Sequence, residues 1–387
     1  MDLINKPLTF IDFFAGIGGF RIGLERAGFK CIGSCEIDKY ASLLYKTYFN
    51  TEKELFFNDI RTIKTEDLPD FDILCAGFPC QSFSIAGRRL GFNDTRGTMF
   101  FELARILKDK RPRYFILENV KGLLNHDGGK TFQTILKILS ELRYQTQWQL
   151  LNSKYFGVPQ NRERVFIVGC YGKECTGKIF PVTGTNAKNS CENKKESVVY
   201  WKNSKEKWVE EERNNVGTIR TQSDLCRQPL LKQVSETSGN PQGLRVYDTN
   251  GISPCITASH GNQGVFADYE LEVKNGTKKG FDIAKIGDSI NLAFPNSPTR
   301  RGRVGKGCSQ TLDTSCNMAT IDGCRLRRLT PLECFRLQGF PDDMFYTAQK
   351  LGIADVNLYK LAGNAVTVNV VEVIAKKLME VINDNRT

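Results

Sequence analysis

Between Leu8 and Val168, short apolar runs alternate with segments whose apolar residues recur every three or four positions. That alternation is the strongest constraint on what the chain can fold into. Leu8–Phe14, Phe29–Cys35, Phe71–Ala76, Tyr114–Leu117 and Val165–Val168 read as buried strands. Gly19–Ala27, Asp38–Phe49, Met99–Lys108 and Thr131–Leu142 read as helices, the last showing Phe132, Ile135, Leu136 and Leu139 on one face. Strands separated by helices pair in parallel, and the helices cover both faces of the sheet, so an α/β architecture with a largely parallel sheet is expected.

The texture changes near Gly172. From residue 172 to 324 the chain is rich in Asn, Lys, Gly, Ser and Thr and has few helical stripes. It reads as a separate, smaller, irregular β-containing domain, with Tyr200, Trp201 and Trp208 as part of its own core. After it, Val366, Val370, Val371, Ile374, Leu378 and Ile382 form a helical apolar face. A helix of that kind packs back on the first domain, so residues 1–171 and 325–387 are expected to form one body and 172–324 another.

Composition removes several function classes. No run of about 18 apolar residues occurs, and the N-terminus lacks a basic stretch followed by an apolar one, so neither a membrane span nor a secretion signal is expected. The 13 cysteines are scattered without any C-x-x-C, which argues against a zinc ribbon or a disulfide scaffold and for a reducing cytoplasm. Two histidines leave little room for histidine-based metal or triad chemistry, and no metal is expected. The net charge of +11 suits an anionic partner, but the excess is spread along the chain instead of forming one block.

Three places carry chemistry. Phe10-Ile-Asp-Phe-Phe-Ala-Gly-Ile-Gly-Gly-Phe20 is a strand, a glycine turn and a helix start, in which Gly16, Gly18 and Gly19 let a ligand approach the backbone. Arg21 stands where the third glycine of a dinucleotide turn belongs. Glu36, after the second strand, is placed to accept from ribose hydroxyls, and Asp59, after a third apolar piece, from an adenine amino group. Ala76-Gly-Phe-Pro-Cys-Gln-Ser-Phe-Ser84 sets Cys80 in a turn fixed by Pro79, with Arg88, Arg89 and Arg96 downstream to favour its thiolate. Glu118 ends an apolar strand, a costly position for a carboxylate without a working partner.

With these residues in view, the sequence resembles the cytosine-C5 DNA methyltransferases of bacterial restriction–modification systems. The matching motifs are Asp12-Phe-Phe-Ala-Gly-Ile-Gly-Gly19, Gly77-Phe-Pro-Cys-Gln81, Asp94-Thr-Arg-Gly-Thr98, Glu118-Asn-Val120 and Gln160-Asn-Arg-Glu-Arg164. Arg328-Leu-Thr-Pro-Leu-Glu-Cys-Phe-Arg-Leu-Gln-Gly-Phe-Pro341 and Gly363-Asn-Ala-Val366 follow in the same order. The resemblance implies a Rossmann-like methyltransferase domain that uses S-adenosyl-L-methionine and releases S-adenosyl-L-homocysteine, with segment 172–324 as a target-recognition domain. It implies Cys80, Glu118, Arg164 and Arg162 as catalytic residues. It also implies a cofactor site of Phe14, Ala15, Gly16, Gly18, Gly19, Glu36, Ile37, Asp59, Ile60, Pro79, Asn364 and Val366. Ile37 stands where an aromatic residue is frequent, and Ala365 where serine is common.

By the same resemblance, the loop from Ser82 to Thr98 closes over a flipped cytosine. Ser84, Arg88, Arg89 and Arg96 of that loop, with Arg300, Arg301 and Arg303 of the basic run Thr299–Lys306, are expected on DNA. The expected partner is double-stranded DNA, with a cognate restriction endonuclease acting on the same site. The expected setting is the nucleoid of a bacterial cytoplasm, the expected state a monomer. An RNA cytosine methyltransferase of the same architecture is the nearer alternative, a nucleotide-dependent oxidoreductase the more distant one. A non-catalytic DNA-binding protein leaves Cys80, Glu118 and Arg164 without roles. Amino-nitrogen methyltransferases share a D/N/S-P-P-Y/F motif that this sequence lacks.

Overall fold

The structure, a computed structural model, describes residues 7–79, 99–172, 177–184, 196–202, 207–213, 270–294, 297, 299–322 and 325–384. The first half follows the expected alternation: β1 (Thr9–Phe13), α1 (Gly19–Arg26), β2 (Lys30–Cys35), α2 (Lys39–Phe49), β3 (Leu55–Phe57), β4 (Ile73–Gly77), α3 (Met99–Lys110), β5 (Tyr114–Val120) and α4 (Lys130–Glu141). Three strands follow: β6 (Tyr144–Asn152), the two-residue β7 (Gln160–Asn161) and β8 (Glu163–Tyr171). β6 escaped the sequence reading because its polar and apolar residues alternate without a continuous apolar run.

β1 to β5 pair in parallel, in the order β5-β4-β1-β2-β3. The chain runs outward from β1 through β2 to β3, then crosses back to place β4 on the other side of β1. Strand order therefore reverses between β1 and β4, the place where open α/β sheets hold ligands beyond their carboxyl ends. Beyond β5 the sheet turns antiparallel, with β8 next to β5 and β6 next to β8. An antiparallel β8 brings its first residues, Glu163 and Arg164, to the edge where the parallel strands end.

Two apolar layers sandwich this sheet. Phe10, Ile116 and Val168 point to the face covered by α1 and by the final helix α8 (Val368–Asp384), whose Val370, Val371, Ile374 and Leu378 lie in the same core. The α8 face read from the sequence is the buried one. Ile11, Leu74, Phe115, Leu117 and Ile167 point to the other face, under Leu103 and Leu107 of α3 and Ile135 and Leu139 of α4. The alternation of neighbouring residues between the two clusters is the period-two signature of strands buried on both sides.

After Gly172 the described residues first continue along the large sheet. Gly177 and residues 179–182 lie along β6, where Gln147 accepts from the Ile179 and Phe180 amides and Gln149 from that of Val182. The hairpin β9 (Glu196–Lys202) and β10 (Lys207–Arg213) continues the large sheet through β9 beside β6. Its register sets Trp208 opposite Trp201 and Val209 opposite Tyr200.

A smaller β region does follow. It holds the pair β11 (Glu270–Lys274) and β12 (Phe281–Lys285), and the sheet made by β13 (Ser289–Asn291), β14 (Val304–Gly305), β16 (Met318–Asp322) and β17 (Arg325–Arg328). Between them, β15 (Ser309–Gln310) pairs in parallel with β7, a direct tie to the larger body. Three helices the sequence reading did not identify come next: α5 (Pro331–Leu337), α6 (Asp342–Lys350) and α7 (Asp355–Asn364). α5 opens with a capping box in which Thr330 and Glu333 satisfy each other's backbone amides. Among the described residues no helix is long and apolar enough to cross a membrane.

Packing at the sheet centre leaves no slack. A Cβ on Gly169 of β8 would run into the Phe115 ring. Gly169→Ala is therefore expected to cost about 1–3 kcal/mol through overpacking, read as a lower urea midpoint with an unchanged slope.

Candidate active site

The chain leaves β1 through a turn in which Phe14, Gly16 and Gly18 all have positive φ. The Ala15 amide donates to the Cys35 carbonyl and the Gly18 amide to the Ala15 carbonyl, which folds the turn back on the end of β2. Among the described residues nothing lies within 4 Å of where a Gly16 Cβ would stand. Gly19 answers a different need. A Cβ there would sit 2.6 Å from both the Cγ1 atom and the carbonyl oxygen of Val366. Glycine lets α1 start against the Gly363–Val366 segment.

Glu36 binds this turn. One carboxylate oxygen accepts from the Gly16 amide at 2.7 Å and the other from the Asp38 amide at 2.7 Å. Burial pushes its carboxyl up, and these amides oppose the shift. Each oxygen keeps a second lone pair for a ligand hydroxyl. Ile37 stands beside it, 66% exposed, an apolar surface next to an acceptor. Asp38 caps α2 and is bridged by Lys360 of α7 at 2.6 Å. Asp59 follows β3 and caps the short helical turn Ile60–Thr62. Its carboxylate is engaged by Arg61 at 2.5 Å, which holds it below the ordinary range, so a ligand amino group there would share it with Arg61. Ile60 is buried, and Pro79 and Asn364 are exposed.

Two strands away, Glu118 is buried, and Arg164 lies across from Val120 in the β5–β8 register. Arg164 Nε reaches Glu118 Oε1 at 3.0 Å. Burial pushes the Glu118 carboxyl above the ordinary range, with Arg164 and then Arg162 pulling the other way. Burial in turn pushes the Arg164 guanidinium down, and Glu118 opposes that shift. The missing side chain of Gly77 makes room: its Cβ would lie 3.3 Å from Glu118 Oε2. Next along β5, the Asn119 amide donates to the Phe78 carbonyl at 2.9 Å. That bond fixes the turn at Phe78-Pro79 beside the Glu118–Arg164 pair.

Arg162 is buried and acts on backbone. Its guanidinium donates to the carbonyls of Leu312 at 3.1 Å, Gly363 at 3.1 Å and Ala365 at 2.8 Å. Sequence reading gave no role to the residues around it. Gln160 donates to the Leu337 carbonyl, Gln338 donates to the Ala362 carbonyl, and Thr367 joins Gln338 to Ser153. The signal was present: amide side chains flanked by apolar helix residues in Arg336-Leu-Gln-Gly-Phe340 are costly unless bonded. Asp12 is a second such case. It is fully buried with one carboxylate oxygen unpartnered, and burial raises its pKa well above the ordinary range.

The basic run divides. Arg301 is exposed and bonds the Gly276 carbonyl, while Arg300 lies over the exposed ring of Phe294 at 5.5 Å. Arg303 is buried and donates to the Asn291 and Lys274 carbonyls, so it braces the small region from inside. Cys80, Ser84, Arg88, Arg89 and Arg96 lie outside the described residues.

Comparison with known proteins converges on one family. The family model for C-5 cytosine-specific DNA methylase matches residues 8–380. The type II methyltransferase M.HpaII of Haemophilus parainfluenzae is 36% identical, covering 97% of this chain and 90% of its own. M.HhaI of Haemophilus parahaemolyticus is 31% identical, covering 99% and 98%. The orphan methyltransferase M.SPRI of Bacillus phage SPR is 34% identical, covering 96% and 97%. Among solved structures, the S. pombe Dnmt2 methyltransferase has a similar fold, with a TM-score of 0.55 at 17% identity over 98% of this chain and all of that one.

The buried ion pair gives a test. Arg164→Met leaves the Glu118 carboxylate unpaired and is expected to cost about 3–5 kcal/mol at neutral pH. Because the folded-state pKa of Glu118 is raised, its contribution to stability is fullest below the ordinary glutamate range and falls as pH rises through the folded value. Without Arg164 that fall should be steeper and reach higher pH, as urea denaturation from about pH 4 to about pH 8 would show.

Proposed function

The chain belongs to the C-5 cytosine-specific DNA methylase family, and on that premise we propose that it methylates C5 of a cytosine flipped out of a specific duplex DNA sequence, through a temporary bond between Cys80 and C6. The observation that carries this is the buried Glu118–Arg164 pair at the sheet edge, beside the turn that ends in Pro79 and leads to Cys80. A carboxyl whose pKa burial raises, next to a fixed guanidinium, sets a candidate proton donor and an oxygen clamp side by side.

The residues around the glycine turn fit S-adenosylmethionine. Glu36 offers free lone pairs to two ribose hydroxyls, and the exposed Ile37 offers one face of contact to a purine. Asp59 offers an acceptor to an amino group, and the space above Gly16 admits the methionine end. When bound there, S-adenosylmethionine supplies an electrophilic methyl group.

The chain's own residues do the rest. C5 of cytosine is too weak a nucleophile by itself, so the Cys80 thiolate adds to C6 and its electron pair pushes charge into the ring. Glu118 delivers its proton to N3 as that charge arrives. Arg164, oriented through Nε by Glu118, holds the ring O2 with its terminal nitrogens. C5 then takes the methyl and loses its proton to solvent base, Cys80 leaves as the C5–C6 double bond reforms, and N3 gives its proton back to Glu118. The loop from Ser82 to Thr98 excludes water over the flipped base. The surface bearing Arg300 and Arg301 meets the duplex. We assign the protein to modification of DNA in a bacterial cytoplasm, where it protects sites against a restriction endonuclease of the same specificity.

Bisulfite sequencing of DNA from cells that express the protein tests activity and target together; unmodified DNA, or a preference for transfer RNA in parallel assays, would defeat this reading. Cys80→Ser should abolish methyl transfer and leave S-adenosylhomocysteine affinity nearly unchanged. A duplex carrying 5-fluorocytosine at the target should become attached to the wild-type protein and not to this variant. The rate of the wild type should fall as pH rises through the raised pKa of Glu118, because the proton donor is lost there. Glu118→Gln should remove that alkaline limb from a profile recorded by transfer of labelled methyl groups.

A further inference from the structure

The clamp around Arg162 joins three segments that have separate tasks. The first is β7, which leads directly into Arg164. The second is residues 309–313, where the small β region returns to the larger body. The third is Gly363–Val366, which packs on Gly19 of the glycine turn. β7 and β15 pair through Gln160 with Ser309 and Asn161 with Gln310. The Ser309 amide donates to the Pro159 carbonyl at 2.7 Å, the Thr311 hydroxyl to the Asn161 carbonyl at 2.8 Å, and the Leu312 amide to Gln160 Oε1 at 3.3 Å. Asp313 abuts Gly363 so closely that a Cβ there would meet its carbonyl oxygen. One guanidinium then closes the circuit through Leu312, Gly363 and Ala365.

We propose that Arg162 is a positioning residue that couples engagement of duplex DNA by the small β region to retention of the cofactor. This rests on the function proposed above and adds to it an energetic link between two binding events. The physical reason is the burial of the charge. Arg162 Nε has no partner, so the remaining donors carry the whole compensation for removing a guanidinium from water. If any one carbonyl moves away, a buried cation loses part of that compensation. The three segments are thus held in one arrangement together. A duplex that fixes residues 309–313 fixes Gly363–Val366 as well, and by linkage a bound cofactor favours the duplex-competent arrangement by the same factor.

The same clamp bears on Arg164. Arg162 and Arg164 flank Glu163 at the junction of β7 and β8, so displacement of β15 shifts the start of β8 where the ion pair with Glu118 forms. Arg162 touches neither the crevice above Gly16 nor the Glu118 carboxylate; its contacts here are to backbone carbonyls.

The test is a binding cycle on the full-length protein. Filter binding of a long, unmethylated, PCR-amplified duplex is measured with and without saturating S-adenosylhomocysteine, and S-adenosylhomocysteine is titrated with and without the duplex. The wild type is expected to show the same factor in both directions, about fivefold or more. Arg162→Lys keeps the charge but cannot bridge three carbonyls, and should bring the factor below about twofold. Thr311→Val deletes one bond between residues 309–313 and β7 and should lower the factor part of the way while the thermal midpoint stays at the wild-type value. Equal loss of both affinities with an unchanged factor would mean a merely structural role and overturn the proposal. Independent binding of the two ligands by the wild type would overturn it and leave the function standing; binding of neither would remove both.

Discussion

A carboxylate and a guanidinium buried together at the end of a sheet are costly to desolvate, and the Glu118–Arg164 pair is stable only because strand geometry brings the two groups within 3.0 Å. The mixed character of the sheet makes that contact. A wholly parallel sheet presents only strand ends at its ligand edge. Here β8 runs the other way, so the first residues of that strand meet the last residues of β5. The proton donor comes from one direction of chain travel and its clamp from the other. Gly77 and Asn119 complete the arrangement, one by lacking a side chain and one by tethering the Phe78 carbonyl.

The cofactor half depends on a second closure. The turn after β1 is held by Glu36 from below and by Val366 from the side, and Val366 arrives from the far end of the chain. Buried amide and hydroxyl groups of Gln160, Gln338, Thr367 and Ser153 set the path of that returning segment. Apolar packing alone would leave its register free to slip. Bonds from side-chain amides to individual carbonyls do not.

The parts of this fold legible in the sequence are those where local pattern and tertiary role agree. β1, α1, β2 and α2 lie within a residue or two of their expected bounds, and the apolar stripe of α8 is the face that packs. Glu118 stands out in the sequence because a carboxylate ending an apolar strand is costly without a partner, and Glu36 by its spacing after the glycine turn, whose Gly16 amide it binds. β6 was not, since Tyr144-Gln-Thr-Gln-Trp-Gln pairs on both edges while alternating polar residues. The hairpin of β9 and β10 joins the large sheet through β6, and strand pairing across some fifty residues leaves no local mark in a sequence. Arg303 reads as one cation among four in its run, yet it is turned inward, a difference set by the Asn291 and Lys274 carbonyls that no spacing announces. Arg162 belongs to the same class: an arginine whose work is on three backbone oxygens brought together only by the finished fold.

The contact between α1 and α8 has a consequence for how the protein is made. Arg26 and Glu372, which meet across that contact, are 346 positions apart. At ordinary rates of translation the ribosome needs roughly 15–70 s to cover that distance. Val371 packs so close to Gly23 that a Cβ on the glycine would lie 2.7 Å from its Cβ, so the partner of that surface is supplied only after this interval. The sheet face beneath α1 has only part of its cover until then. The α1 side of the sheet therefore cannot close until the segment carrying Val371 has been made, however early β1 and α1 are in place.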